Sequence, residues 1–130
     1  MKKLLTIILI NFFLLTQALA DWEFVTTLQD GKGTKVYIDV ETLRKDSNYY
    51  YIWKLHDLKV PFEGYKSAAM LNQIDCNLRR AKILQYVFYD GQMGKGNPKS
   101  FNRDEEWKHY PPESSMHNII KGICSLWKNF

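Results

Sequence analysis

The sequence predicts an α+β domain: an antiparallel sheet of five to six strands, with one C-terminal helix packed on it through a disulfide. Three observations carry this. Short segments alternating apolar and polar, rich in Tyr, Val and Ile, follow one another between turn residues. One stretch of helical periodicity, Met116 to Trp127, closes the chain. The two cysteines, Cys76 and Cys124, fall on the apolar sides of a strand and of that helix.

The chain opens with Lys2 and Lys3, an apolar run from Leu4 to Leu15, and Ala18-Leu19-Ala20 ahead of Asp21. That is the pattern of a signal peptide, cleaved between Ala20 and Asp21. The run is short for a bilayer span. Residues 1–20 are therefore expected to leave, and 21–130 to form one domain with no integral membrane segment. No cysteine stands at the cleavage point, so no lipid anchor is expected there. Export to an oxidising compartment favours a Cys76–Cys124 bond. Closing a loop of about 50 residues costs the unfolded chain roughly 4 kcal/mol, comparable to the stability of a marginal domain. Two of the 18 basic residues leave with the leader and none of the 14 acidic ones does, so the mature charge is 16 minus 14, or +2. So small and dispersed an excess does not point to nucleic acid. Four Trp and eight Tyr exceed what a small core needs, and some should line a contact surface.

Trp22 to Leu28 reads as the first strand, closed by the Gly-rich turn Gln29 to Gly33. Thr34 to Val40 is the second, with Val36, Ile38 and Val40 on one face. Glu41 to Ser47 reads as a polar turn and Asn48 to Leu58 as the third strand, with Pro61 and Gly64 breaking the chain after it. Lys66 to Cys76 and Arg79 to Tyr89 are two more strands, meeting at Cys76-Asn77-Leu78. Asp90 to Ser100, with three glycines and a proline, is expected to be a mobile loop, and Phe101 to Tyr110 to hold a short sixth strand.

Pro111-Pro112 then leads into the helix, with Ser114 or Ser115 as N-cap and Glu113 suiting the dipole. Met116, Ile119, Ile120, Ile123, Cys124 and Trp127 form one apolar stripe. Gly122 within the helix suggests close packing on the sheet. Cys76 shares strand parity with Ala68, Met70 and Ile74, as a helix-to-sheet bond requires.

A helix of about 14 residues is about 21 Å long and about 10 Å wide, whereas the sheet spreads over about 25 Å. It cannot cover one face fully, and the other face has no candidate cover. Yet the third strand is apolar on both parities: Tyr49, Tyr51, Trp53 and Leu55 on one, Tyr50, Ile52 and Leu58 on the other. A wet face normally alternates cleanly. The second face is therefore expected to meet another protein, a second copy or a ligand. Tyr49, Tyr51 and Trp53 are the candidate partner-binding residues, since large rigid aromatics dominate contact energy.

The order of motifs resembles the surface-adhesin protein E family of Gram-negative bacteria. The matching pieces are Tyr37-Ile38-Asp39, Glu41-Thr42-Leu43, the aromatic strand with Trp53, and Ser67 leading to Ile74-Asp75-Cys76. They continue with Phe88-Tyr89-Asp90, the loop Gly91 to Gly96, Trp107, and a helix ending in Ile123-Cys124. The resemblance implies an antiparallel sheet with a C-terminal helix joined by a disulfide. It also implies a non-catalytic surface or envelope protein, in a family whose best-known member binds host matrix proteins such as vitronectin and laminin and forms dimers.

Little in the chain points to catalysis or to a cofactor. Lys95 in the loop Gly91 to Gly96 has no Ser or Thr after it, so the phosphate-loop pattern fails. His56, His109 and His117 have no ligand spacing and are expected to be exposed. His56 and Asp57, as strand neighbours, point to opposite faces and cannot pair. No serine sits in a nucleophile elbow. Asp104-Glu105-Glu106 reads as a solvated acidic turn rather than a carboxylate pair for glycoside chemistry. Arg79, Arg80 and Lys82 read as edge protection.

The expectation is an exported, non-catalytic, adhesin-like protein, periplasmic or at the cell surface or secreted. It would bind a protein partner, a host extracellular-matrix protein or itself as a homodimer, and no nucleic acid. The alternative is an inhibitor of a cell-wall hydrolase such as a lysozyme, presenting the loop Asp90 to Ser100. A small hydrolase or nuclease using His56 or His109 has least support.

Overall fold

The computed structural model describes residues 20–103 and 105–126. The expected leader, Asp104 of the acidic turn and Trp127 of the helical stripe lie outside them, apart from Ala20 at the leader's end. Ala20 and Asp21 are exposed just ahead of the first strand.

The strands are β1 (Trp22–Thr27), β2 (Lys35–Asp46), β3 (Tyr49–Phe62), β4 (Tyr65–Asp75), β5 (Arg80–Tyr89), β6 (Pro98–Asn102) and β7 (Lys108–His109); the helix α1 is Ser115–Leu126. They form one antiparallel meander in the order β1-β2-β3-β4-β5-β6, with β7 beside the other end of β5. The α+β class is as expected, with seven strands among the described residues.

Two strands run further than the turn residues suggest. In β2 the expected polar turn is a wide irregularity, where pairing passes from Asp39↔Trp53 to Arg44↔Tyr51. The Asp39 carboxylate accepts the Glu41 amide at 3.2 Å and its carbonyl accepts the Thr42 hydroxyl at 3.1 Å, so the surplus residues satisfy one another. In β3, Pro61 falls between Asp57 and Phe62, where the ladder to β4 is interrupted and its missing N–H costs nothing. Glu63 (φ 49°) and Gly64 (φ 83°) then close a two-residue hairpin.

Ser114 caps α1, its hydroxyl accepting the His117 amide at 3.2 Å. Met116, Ile119, Ile120, Ile123 and Cys124 are buried against Val36, Tyr50, Ile52, Ile74 and Ala81. Cys76 and Cys124 are bonded, with Cα atoms 5.6 Å apart. Gly122 corrects its expected role: it is exposed, and a Cβ there would meet nothing within 4 Å.

The 12 residues of α1 reach about 18 Å, whereas the 14 of β3 run about 46 Å. Only one half of this helix face is covered. On the other half Leu58, Val60, Phe62, Met70 and Phe88 line an open apolar hollow of about 320 Å³.

The far face carries a second cluster, Leu55, Ala69 and Val87, with Trp22, Tyr37, Trp53, Tyr89 and Met93 against it. Its cover is the segment expected to be mobile. Asp57 accepts the Met93 amide at 2.7 Å, and Ser67 donates to the Gly91 carbonyl at 2.6 Å while accepting the Gly94 amide at 2.9 Å. Asp90 accepts both the backbone and side-chain N–H of Asn97, at 2.8 and 3.0 Å. Gly96 (φ 89°) is indispensable to this knot, because a Cβ there would collide with the Asp90 carboxylate. Pro98 then enters β6. The loop is ordered because polar side chains on β3 and β4 point up into it, and the far face is not wholly without cover.

Candidate functional site

Tyr49, Tyr51 and Trp53 form one column on β3, pointing to the far face. Alternate residues of a strand are about 6.8 Å apart, so the column is about 14 Å long. All three side chains are half-buried.

Each sits in a cross-strand row. Tyr51 lies between Arg44 on β2 and Gln73 on β4, with Lys82 next on β5. The Arg44 guanidinium stacks over the Tyr51 ring at 4.3 Å, and the Gln73 amide donates to the Tyr51 hydroxyl at 3.1 Å. Tyr49 packs on Trp107, ring centres 5.5 Å apart. Arg80 and Lys82 lie over the Trp107 ring at 4.6 and 5.0 Å. Trp53 pairs with Asp39 and Leu71 and borders the Leu55 cluster. The Arg80–Asp75 pair, at 3.0 Å, uses a buried carboxylate that also accepts the Asn77 and Leu78 amides. The outcome is a strip of aromatic rings rimmed by cations, the composition of contact surfaces that anchor through Tyr, Trp and Arg.

Trp107, Arg44, Gln73 and Lys82 belong to this surface and sequence reasoning did not place them there. Trp107 comes from a charged stretch with no strand pattern. Arg44 faces Tyr51 only because β2 resumes beyond its irregularity. Arg80 and Lys82 do not protect an edge, since β6 and β7 both pair along β5.

The histidines are not brought together. His109 is exposed on β7, and His117 is half-buried in the first turn of α1. His56 is not the exposed residue expected: it is half-buried on the helix face, its Nε2 without a hydrogen-bond partner. Burial, and then the nearby Lys54 charge, pull it down to about 4. Asp57 points to the far face, so the two do not pair. Lys54 is buried, its Nζ 3.7 Å from the Met116 sulfur, and burial lowers its pKa to about 8. Glu105 is not merely solvated: it is half-buried and accepts the Tyr86 hydroxyl at 2.8 Å. Burial and that bond push the Tyr86 hydroxyl to about 12. Among the described residues no group of three His, Cys, Asp or Glu could hold a metal. Among them, too, no helix is long and apolar enough to cross a membrane.

Residues 22–125 match the family described as surface-adhesin protein E. Three solved structures of protein E from Haemophilus influenzae share the fold. The selenomethionine form superposes with a TM-score of 0.66 at 15% identity, covering 86% of this chain and 95% of that one. A second structure gives 0.62 at 16% identity, covering 88% and 94%. The protein from a non-typeable strain gives 0.61 at 16%, covering 88% and 82%. No curated protein matches the chain at a significant level.

Proposed function

The chain belongs to the surface-adhesin protein E family, and from that premise we propose that it is an exported, non-catalytic binding protein that docks a protein partner on its far face through Tyr49, Tyr51 and Trp53. The observation that carries the reading is the strip itself. Three half-buried aromatics stand in one column with Trp107 beside them, and α1 packs on the opposite face. Cation stacking on Tyr51 and Trp107 holds the rim side chains in place, which lowers the entropy cost of docking. The partner is a host extracellular-matrix protein or a second copy of the chain. Inhibition of a cell-wall hydrolase has less support, because the only candidate plug folds down onto Leu55 and Tyr89 instead of projecting.

The test is a pair of variants, Tyr51→Ala and Arg44→Glu, with Trp53 left intact because it also packs on Leu55. Each is expected to weaken self-association in analytical ultracentrifugation, or capture on immobilised matrix proteins, by roughly tenfold or more, the scale of an interface anchor. Circular dichroism should stay unchanged. Undiminished binding by both variants would remove the far face from the function.

A further inference from the structure

We propose that the hollow beside the disulfide binds an anionic sugar, through its carboxylate or sulfate. The hollow lies where the β2–β3 and β4–β5 turns approach one another on the helix face, open to solvent and with a volume of about 260 Å³. Lys45, Asn48, Asn77 and Arg79 line it, over a floor of Tyr50 and the Cys76–Cys124 bond. Among the described residues no carboxylate lines it. Among the described residues neither Lys45 nor Arg79 has an ion-pair partner. Asp75, the nearest acid to Arg79 along the chain, is engaged with Arg80 and with the Asn77 and Leu78 amides, and Asp46, next to Lys45, is not among the lining residues. Two cations thus face a polar hollow with nothing among the described residues to neutralise them, which is an anion's complement.

The backbone adds a second observation. Arg79 is held in the left-handed region, φ 52°, and so is Ser47, φ 56°, in the turn that carries Asn48. A residue with a Cβ is strained there and glycine is not. Such strain at the lip of a cavity points to a side chain that is used. Lys45 leans over the Tyr50 ring, Nζ 5.6 Å from its centre, which holds the ammonium above the floor.

The sugar is argued from what surrounds the charges. A guanidinium and an ammonium recognise a carboxylate or sulfate. The side-chain amides of Asn48 and Asn77 each offer two donors and an acceptor, matching ring hydroxyls that both give and receive hydrogen bonds. The volume equals about nine waters at about 30 Å³ each, enough for a single substituted ring and too small for a folded segment. The site is independent of the aromatic strip, since Lys45 and its neighbour Arg44 point to opposite faces of β2.

The experiment is an amide-resolved NMR titration of the purified protein with glucuronate, N-sulfoglucosamine, glucose and inorganic sulfate. The two acidic sugars should move the Asn48, Asn77 and Arg79 signals saturably, roughly tenfold more tightly than glucose, the worth of one charge-assisted hydrogen bond. Arg79→Gly and Lys45→Ala should each lose most of that affinity, with the melting temperature of Arg79→Gly equal to the parent's or higher. Tyr51→Ala should leave the titration unchanged, so its failure and that of the far-face reading are separable. Equal binding of glucose, binding of sulfate as tight as N-sulfoglucosamine (a simple anion site), or full affinity in Arg79→Gly overturns the proposal.

Discussion

Lys54 and His56 are two bases on one side of one strand, and each is shifted mainly by burial. Among the described residues the Met116 sulfur is the one hydrogen-bond partner of the Lys54 ammonium, so the folded state carries a charge it would rather lose. Lys54→Met should therefore stabilise the domain at pH 7 by on the order of 1–3 kcal/mol in urea denaturation. The sign with pH is set by the shift. Between about 8 and 10.5 the unfolded chain keeps the proton and the folded chain releases it, so the parent gains stability as pH rises and the variant's advantage shrinks. An advantage that grows through that window would sink the account. For His56 the folded value of about 4 lies below the ordinary 6.5, so stability falls as pH drops from 6.5 toward 4. Lys54 reinforces that shift and Asp30 opposes it. Comparing His56→Leu with the parent across this window isolates the contribution, and the variant should show the shallower loss.

At the scale of elements, Gly122 offers the simplest test. It is exposed in α1 with open space where a Cβ would stand, so Gly122→Ala should raise stability by up to about 1 kcal/mol through helix propensity alone. A loss on thermal melting would overturn the open surface around Gly122. Glycine marks close approach or mere tolerance, and only the neighbouring surface tells which. The helix itself was legible because its stripe repeats cleanly and Ser114 precedes it. The five long strands were legible by alternation, though their ends were not. Residues 41–46 look like a turn by composition, and their strand identity comes from pairing with β3 after side-chain bonds close the irregularity. The Gly-rich loop looked mobile because its partners, Asp57 and Ser67, are distant in sequence. Ser67→Ala removes one donor and one acceptor from the loop's underside. It should cost about 1–3 kcal/mol and speed hydrogen exchange at Gly94. Of the candidate surface, the tyrosine column could be read from parity, whereas Trp107 and Arg44 arrive only through tertiary pairing.

Over the whole molecule the two covers lie diagonally. The helix closes one face at the Tyr50–Cys76 end, and the Gly91–Gly96 loop closes the opposite face at the Leu55–Ser67 end. Two quarters of the sheet are left open: the aromatic strip opposite the helix, and the apolar hollow opposite the loop. Only one of the covers is covalently held. The bond spans a sequence separation of 48 residues, so replacing both cysteines by serine should cost about 4 kcal/mol by loop-closure entropy. The loss should also be uneven. With the staple gone, α1 is held by its apolar stripe alone, while β3 to β5 remain paired on both sides. Native-state hydrogen exchange of the double variant should show α1 opening at lower free energy than Ile52 and Ile74, whereas in the parent the two move together. Partner capture through Tyr51 should survive, because nothing in that strip touches the helix. Were the strip to lose binding whenever the helix is unstapled, the two faces would be coupled through β3, and the division of this sheet into independent quarters would be wrong.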